Sequence, residues 1–332
     1  MSDNSSSSCP AIDYSSLTWK LNVVYMMGFS FLIFFGLVGN SLSMYVWRSR
    51  FFREVPTSIA MTSLAASDLL ALLIGGLRQL AISISGKDIR TSSSAMCKIN
   101  VFLLYWFLQS SAWLIVLITW MRALSLLYPL KAKLWMTKKA ERIAVGVVFL
   151  FSFCLNAFLL VGITKGSFQG TVTCYAKSQK YLDSKKIIDE VIGSFLPFAL
   201  IFVGNILIII QYNRFSKQRS SLTNNTSEGD NFLSTTVMFI FISFTFLITT
   251  APTLILLRES DNIKAAIGIE KENILWHSFQ LVFYANFVLN FYLYCLSGRS
   301  FRIATFKLLA PMEILQSIEK SKTKKSSTDT IP

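Results

Sequence analysis

The chain has 332 residues, of which 53% are hydrophobic and 14% aromatic, with a mean hydropathy of +0.51 and a net charge of +14. Its apolar runs last about 20 residues or more, which excludes a soluble domain, and they are solid rather than the alternating segments of about ten residues that build a closed barrel. The basic residues flank those runs and form no aromatic-interleaved groove, which excludes a nucleic-acid partner and leaves the lipid bilayer.

Residues 1–20 are polar and Ser-rich, which predicts a disordered tail. Asn4 heads an Asn-Ser-Ser glycosylation acceptor if this end is outside. No cleavable signal peptide is expected, because the first apolar run is too long for one. Seven spans follow, at about 21–47, 56–84, 97–127, 143–163, 187–212, 232–257 and 274–296. The fold class is therefore an all-α membrane protein, a seven-helix bundle over 21–297. Residues 298–310 place Phe301, Ile303, Phe306, Leu308 and Leu309 among Arg299, Arg302 and Lys307, the pattern of a short amphipathic helix lying on a membrane surface. The tail 311–332 is Lys/Ser/Thr-rich, which predicts disorder and offers phosphorylation sites.

Charge sets the orientation. With Arg122 included, the connections and tail assigned to the inside carry 19 basic and 7 acidic residues, against 12 and 10 outside. The asymmetry places the N-terminus outside and the C-terminus inside.

The third span organises the rest. Cys97 and Arg122 lie 25 residues apart, roughly 38 Å along a helix. A tilted span puts them at opposite faces of a hydrocarbon core of about 30 Å. Cys97 and Cys174 then share the oxidising face, where they form a bridge or remain two free thiols. Cys9 has no evident role, Cys154 suits helix packing, and Cys295 suits packing or lipidation.

Asp68 is a carboxylate at mid-membrane depth and needs partners or a cation. Asn40, Ser111, Asn286 and Asn290 lie at similar depth, and the last two share a helix face. Together they make either an oxygen-rich pocket for a sodium ion or a hydrogen-bonded network around a protonated carboxyl. Arg122 is either an interfacial snorkelling arginine or a functional one. Arg78 and Gln79 lie about 15 Å further out than Asp68. With Tyr105, Gln109, Trp276, His277, Gln280 and Tyr284 they are candidate linings of an outward-facing cavity, or packing and interfacial residues. No HExxH, GxSxG or phosphate loop is present, and His277 is the chain's one histidine. No catalytic site and no cofactor beyond an allosteric sodium ion are expected.

These residues resemble the rhodopsin-like (class A) G-protein-coupled receptors from about 37 to 306. The resemblance rests on Gly39-Asn40, the Leu64–Asp68 run, Cys97 with Arg122 and Pro129-Leu130, Cys174, Pro197, Pro252, Phe246, the Asn286/Asn290/Tyr294 pattern and Gly298 through Arg302. It implies a Cys97–Cys174 disulfide and sodium held by Asp68, Ser111, Asn286 and Asn290. It also implies coupling and switching through Arg122, Phe246, Pro252 and Tyr294. The chain departs from the family at Met121, Ala123, Asn205, Thr250 and Phe291, and it lacks the usual span 4 tryptophan. Set against the family, Met121 in place of an acidic partner of Arg122 implies raised basal activity, and the changed switch residues imply the alternative, weakened coupling.

Leu104 and Tyr284 stand where amine receptors and opsins carry an aspartate and a lysine, so neither ligand class is expected. The run ending at Arg302 most resembles invertebrate neuropeptide receptors of the FMRFamide type. The resemblance implies a plasma-membrane receptor with an extracellular peptide ligand, a heterotrimeric G protein, and a kinase and arrestin at the tail. A chemosensory receptor for a small apolar ligand is the alternative, and a transporter or channel using Asp68 and Arg78 a third reading. The absence of internal repeats weighs against the last.

Overall fold

A computed structural model describes residues 14–168, 171–220 and 227–309. Asn4, Cys9 and the phosphorylatable tail lie outside them. The described residues are almost wholly helical. The first helix, α1 (Tyr14–Arg48), begins inside the stretch expected to be a disordered tail. A second span is built from α2 (Ser58–Ala71), a π-helical turn over Leu72–Gly76, and α3 (Leu77–Ser85). Gly86 stops it in the left-handed region at φ 67°, which a side chain would resist. A 3-10 turn (Ile89–Ser92) leads to α4 (Ser94–Leu127), whose N-terminus is capped by the Ser93 hydroxyl accepting from the Met96 N–H.

Pro129 opens the short α5 (Pro129–Trp135), and Thr137 caps α6 (Lys138–Asn156). One further turn, α7 (Leu159–Gly162), runs into an antiparallel hairpin of β1 (Ile163–Phe168) and β2 (Thr171–Ala176). The sequence reading expected only a polar connection here. After α8 (Gln179–Ile187), a π-helical stretch (Ile188–Phe195) precedes α9 (Leu196–Ser220). Pro197 follows two residues after the end of that stretch, and its i−4 residue, Gly193, lies within it. A proline cannot donate to the i−4 carbonyl and clashes with it, so the wider turn absorbs the mismatch. The bundle closes with α10 (Ser227–Ile267), which carries Pro252 in its interior, and α11 (Ile269–Ser297). The amphipathic α12 (Arg299–Leu309) follows.

Six of these helical stretches are long and apolar enough to cross a membrane, and Ile240–Leu256 is a shorter apolar one. On α1, Val24, Met27, Phe31 and Phe34 point outward and are each between 60% and 63% exposed. In water such a stripe is costly; in lipid it is the expected outer surface.

The largest core lies at the Arg122 end. Trp47, Phe52, Phe291, Tyr294 and Phe301 pack edge to face or tilted, with Trp47 and Phe301 ring centroids 5.6 Å apart and those of Tyr294 and Phe301 5.2 Å apart. Each such pair adds about 1 kcal/mol beyond its buried area. Phe301 and Ala304 thereby fasten α12 to the bundle, while Ile303, Phe306 and Leu309 remain exposed on its far side.

Two helices are also joined by a buried charge. Glu141 of α6 accepts from the Ile59 and Ala60 N–H groups at 2.8 and 3.0 Å, satisfying donors at the start of α2 that have no partner within their own helix. Lys138 lies 3.2 Å from the same carboxylate and donates to the Val55 carbonyl and the Ser58 hydroxyl.

Candidate functional site

The polar centre forms where α2, α4 and α11 meet. Asp68 is fully buried. Ser111 donates to its Oδ1 at 2.5 Å, and the Asn290 amide donates to its Oδ2 at 2.7 Å. Asn40 does not reach the carboxylate. It donates to the Phe287 carbonyl at 2.8 Å and so ties α1 to α11. Asn286 is buried beside them. Among the described residues, the side-chain carbonyl oxygens of Asn40, Asn286 and Asn290 and the Tyr294 hydroxyl have no hydrogen-bond partner. Buried acceptors without donors are costly. An all-oxygen set around one carboxylate suits a hard cation. No group of three or more His, Cys, Asp or Glu residues is placed for a metal among the described residues.

At the Cys97 end, the Cys97–Cys174 disulfide ties the start of α4 to β2, with Cα atoms 5.9 Å apart. Cys174 is paired in register with Lys165 across the hairpin. Beside it, Arg78 and Arg90 both bind Asp88 through two guanidinium nitrogens, each with a closest approach of 2.7 Å. Partial burial alone would raise the Asp88 carboxyl. The hydrogen bonds and charges of the two arginines outweigh that and hold it well below the ordinary carboxylate range.

The other charged pair is Lys185 with Asp189, 2.5 Å apart. Lys185 also donates to the Tyr105 hydroxyl at 2.7 Å and lies 4.0 Å from that ring's centroid. Tyr284 is buried and packs against Phe29, with ring centroids 5.1 Å apart. The bare backbone of Gly75 makes room for it, since a Cβ there would sit 2.0 Å from the Tyr284 hydroxyl oxygen.

The other expected lining residues are placed differently. Gln109 is buried and accepts from the Asn156 amide at 2.9 Å. Gln79 is buried and Trp276 half-buried. His277 and Gln280 do share a face, but that face meets α1. The Tyr25 hydroxyl donates to Gln280, and the Tyr25 and His277 rings are 4.7 Å apart. The sequence reading missed Asp88, Arg90, Lys185 and Asp189. Their signal was charge close to the ends of spans 2 and 5.

At the opposite end Arg122 is half-buried between buried Met121 and Ala123. One turn earlier, the Thr119 hydroxyl lies 3.3 Å from that of Ser243 on α10, both fully buried. Phe246 and Thr250 continue the buried face of α10 toward Pro252. Tyr294 packs against Trp47.

A sequence model of the family "7 transmembrane receptor (rhodopsin family)" matches residues 39–294. The chain belongs to the rhodopsin family of seven-transmembrane receptors. It is similar to cysteinyl leukotriene receptor 1 of Cavia porcellus, with 23% identity over 72% of this chain and 69% of that one. A thyrotropin-releasing hormone receptor of Mus musculus is 26% identical over 67% of this chain and 56% of its own length. A probable G-protein coupled receptor of Caenorhabditis elegans is 23% identical over 66% of this chain and 54% of its own. The chain therefore spans little more than half the length of the last two. The family is one of multi-pass membrane receptors rather than enzymes, and it implies an extracellular ligand and G-protein coupling.

Proposed function

We propose that the chain is a plasma-membrane receptor for a peptide, with its N-terminus and the disulfide end outside and Arg122 facing a heterotrimeric G protein. The observation that carries the ligand class is the charged mouth. Two arginines share one aspartate, and a lysine bridges a tyrosine and a second aspartate, under a disulfide-pinned hairpin. Such a surface offers charge-assisted hydrogen bonds to backbone carbonyls and a terminal carboxylate, which peptides carry in number. The run from Asn290 to Arg302 supports the finer reading of an invertebrate FMRFamide-type receptor.

The second reading is a lipid mediator, favoured by the likeness to cysteinyl leukotriene receptors. Either ligand works through its different affinity for two arrangements of α9 and α10. Sodium at Asp68, with Ser111, Asn286 and Asn290, would favour the arrangement drawn here. A kinase and arrestin would act at the tail.

Cells expressing the receptor, exposed to a neuropeptide library and in parallel to lipid mediators, test this through G-protein activation. A peptide response that Arg78→Ala removes at unchanged surface expression supports the first reading. A response to lipids alone replaces it with the second.

A further inference from the structure

The Cys97–Cys174 disulfide gathers three lysines at its end of the bundle. Lys98 follows Cys97, and Lys165 is the register partner of Cys174. The Lys165 Nζ lies 3.5 Å from the Ser92 carbonyl oxygen, and the Cys174 Sγ lies 3.9 Å from that of Arg90. The connection that carries Lys87 is thereby folded against the hairpin. Lys87 and Lys165 are exposed and Lys98 is half-buried. Among the described residues, no ion pair supplies a carboxylate to any of the three. Asp88, the acid among them, is held by Arg78 and Arg90. Residues 78–98 with the two strands hold five basic residues and that one acid, whereas the connection 258–273 holds three basic and four acidic. The excess charge is therefore local to the hairpin side. Like charges gathered without a counter-charge repel each other, so an anionic partner would relieve them.

The residue types name its class. A guanidinium fork suits a single carboxylate or phosphate, and both forks here are spent on Asp88. What remains is three ammonium groups on three elements: the connection after α3, the first turn of α4, and β1. Ammonium groups act as compact point charges without fork geometry. Separated point charges fit a partner whose own charges are many and spaced, rather than one small anion. We propose that Lys87, Lys98 and Lys165 form a docking surface for a sulfated polysaccharide chain of the glycosaminoglycan class. The bound chain lies beside the mouth, where its charge raises the local concentration of cationic ligands. Only the placing of this end outside the cell rests on the receptor reading above.

The test uses intact cells carrying the full-length receptor, stripped of their own chains with heparinase, so that only the outer surface meets the probes. The probes are fluorescent heparin and a fluorescent polyglutamate of similar length. Wild-type cells should bind heparin more strongly than polyglutamate and more strongly than cells without the receptor. Lys87→Ala, Lys98→Ala and Lys165→Ala together should lower heparin binding about tenfold at equal surface expression. Lys180→Ala, Lys186→Ala and Lys271→Ala together remove the same charge from α8 and α11 and should leave binding unchanged. Equal loss in both triple variants overturns the surface and leaves bulk charge attraction. Binding of polyglutamate at least as strong as that of heparin also overturns it, and assigns the lysines to an acidic protein. On the same cells, labelling of Lys87 by a membrane-impermeant amine reagent reports whether this end is outside. Heparin binding absent with Lys87 labelled counts against the surface alone, and Lys87 unlabelled counts against the orientation.

Discussion

Asn290 donates to the Asp68 carboxylate at 2.7 Å, joining α11 to α2 across 222 residues of sequence. With Ser111 on the other oxygen, three helices meet on one buried carboxylate. If that centre takes sodium, the purified receptor should gain thermal stability in sodium chloride over choline chloride. Asp68→Asn should abolish the difference while preserving the fold. A salt-specific gain that survives in Asp68→Asn would remove the cation from the account. Asn290→Ala leaves an acceptor unpaired and should cost about 1–3 kcal/mol.

Glu141 is another buried carboxylate, and it holds the start of α2 rather than a site. Glu141→Ala should lower stability by about 2 kcal/mol, read as a fall in thermal midpoint and in surface expression. Glu141→Gln keeps one acceptor and should recover part of the loss. Full stability in Glu141→Ala would mean water replaces the cap.

Much of this architecture was readable in the residues. Solid apolar runs disclose spans, and depth alone grouped Asp68 with Ser111 and Asn290. Depth did not reveal rotation. His277 and Gln280 share a helical face by spacing, yet that face meets Tyr25, because the packing of α11 against α1 decides which way it turns. Arg78 was visible as an outer cation, but its partner Asp88 becomes one only through the bend at Gly86. The hairpin escaped because six-residue strands with mixed polarity look like a connection. Its alternating Thr171–Ala176 was the available signal.

The Asp88 carboxyl, held low by Arg78 and Arg90, contributes stability above the ordinary carboxylate range. It retains that contribution down to the ordinary carboxylate range and loses it progressively as pH falls further toward the lowered folded-state value. Asp88→Asn should therefore lower the thermal midpoint by a similar amount at pH 7 and at pH 5. A difference that disappears by pH 5 would show that the two-arginine clamp is not formed.

The Thr119 and Ser243 hydroxyls link α4 to α10 one turn from Arg122, where Met121 supplies no acid. Thr119→Val and Ser243→Ala should each raise basal G-protein activation. A lost hydrogen bond of about 1 kcal/mol shifts a two-state equilibrium about fivefold. The double variant should add little to either single change, since one link is removed in both. Basal activity unchanged in all three would assign the link to packing alone.

The most direct measurement is agonist-driven nucleotide exchange on heterotrimeric G protein in membranes carrying the receptor or its Arg122→Ala variant at equal surface expression. The account predicts that at least one peptide accelerates exchange through the wild type and that the variant abolishes the response. No exchange with any ligand, together with ion or solute flux through the same membranes, would contradict it.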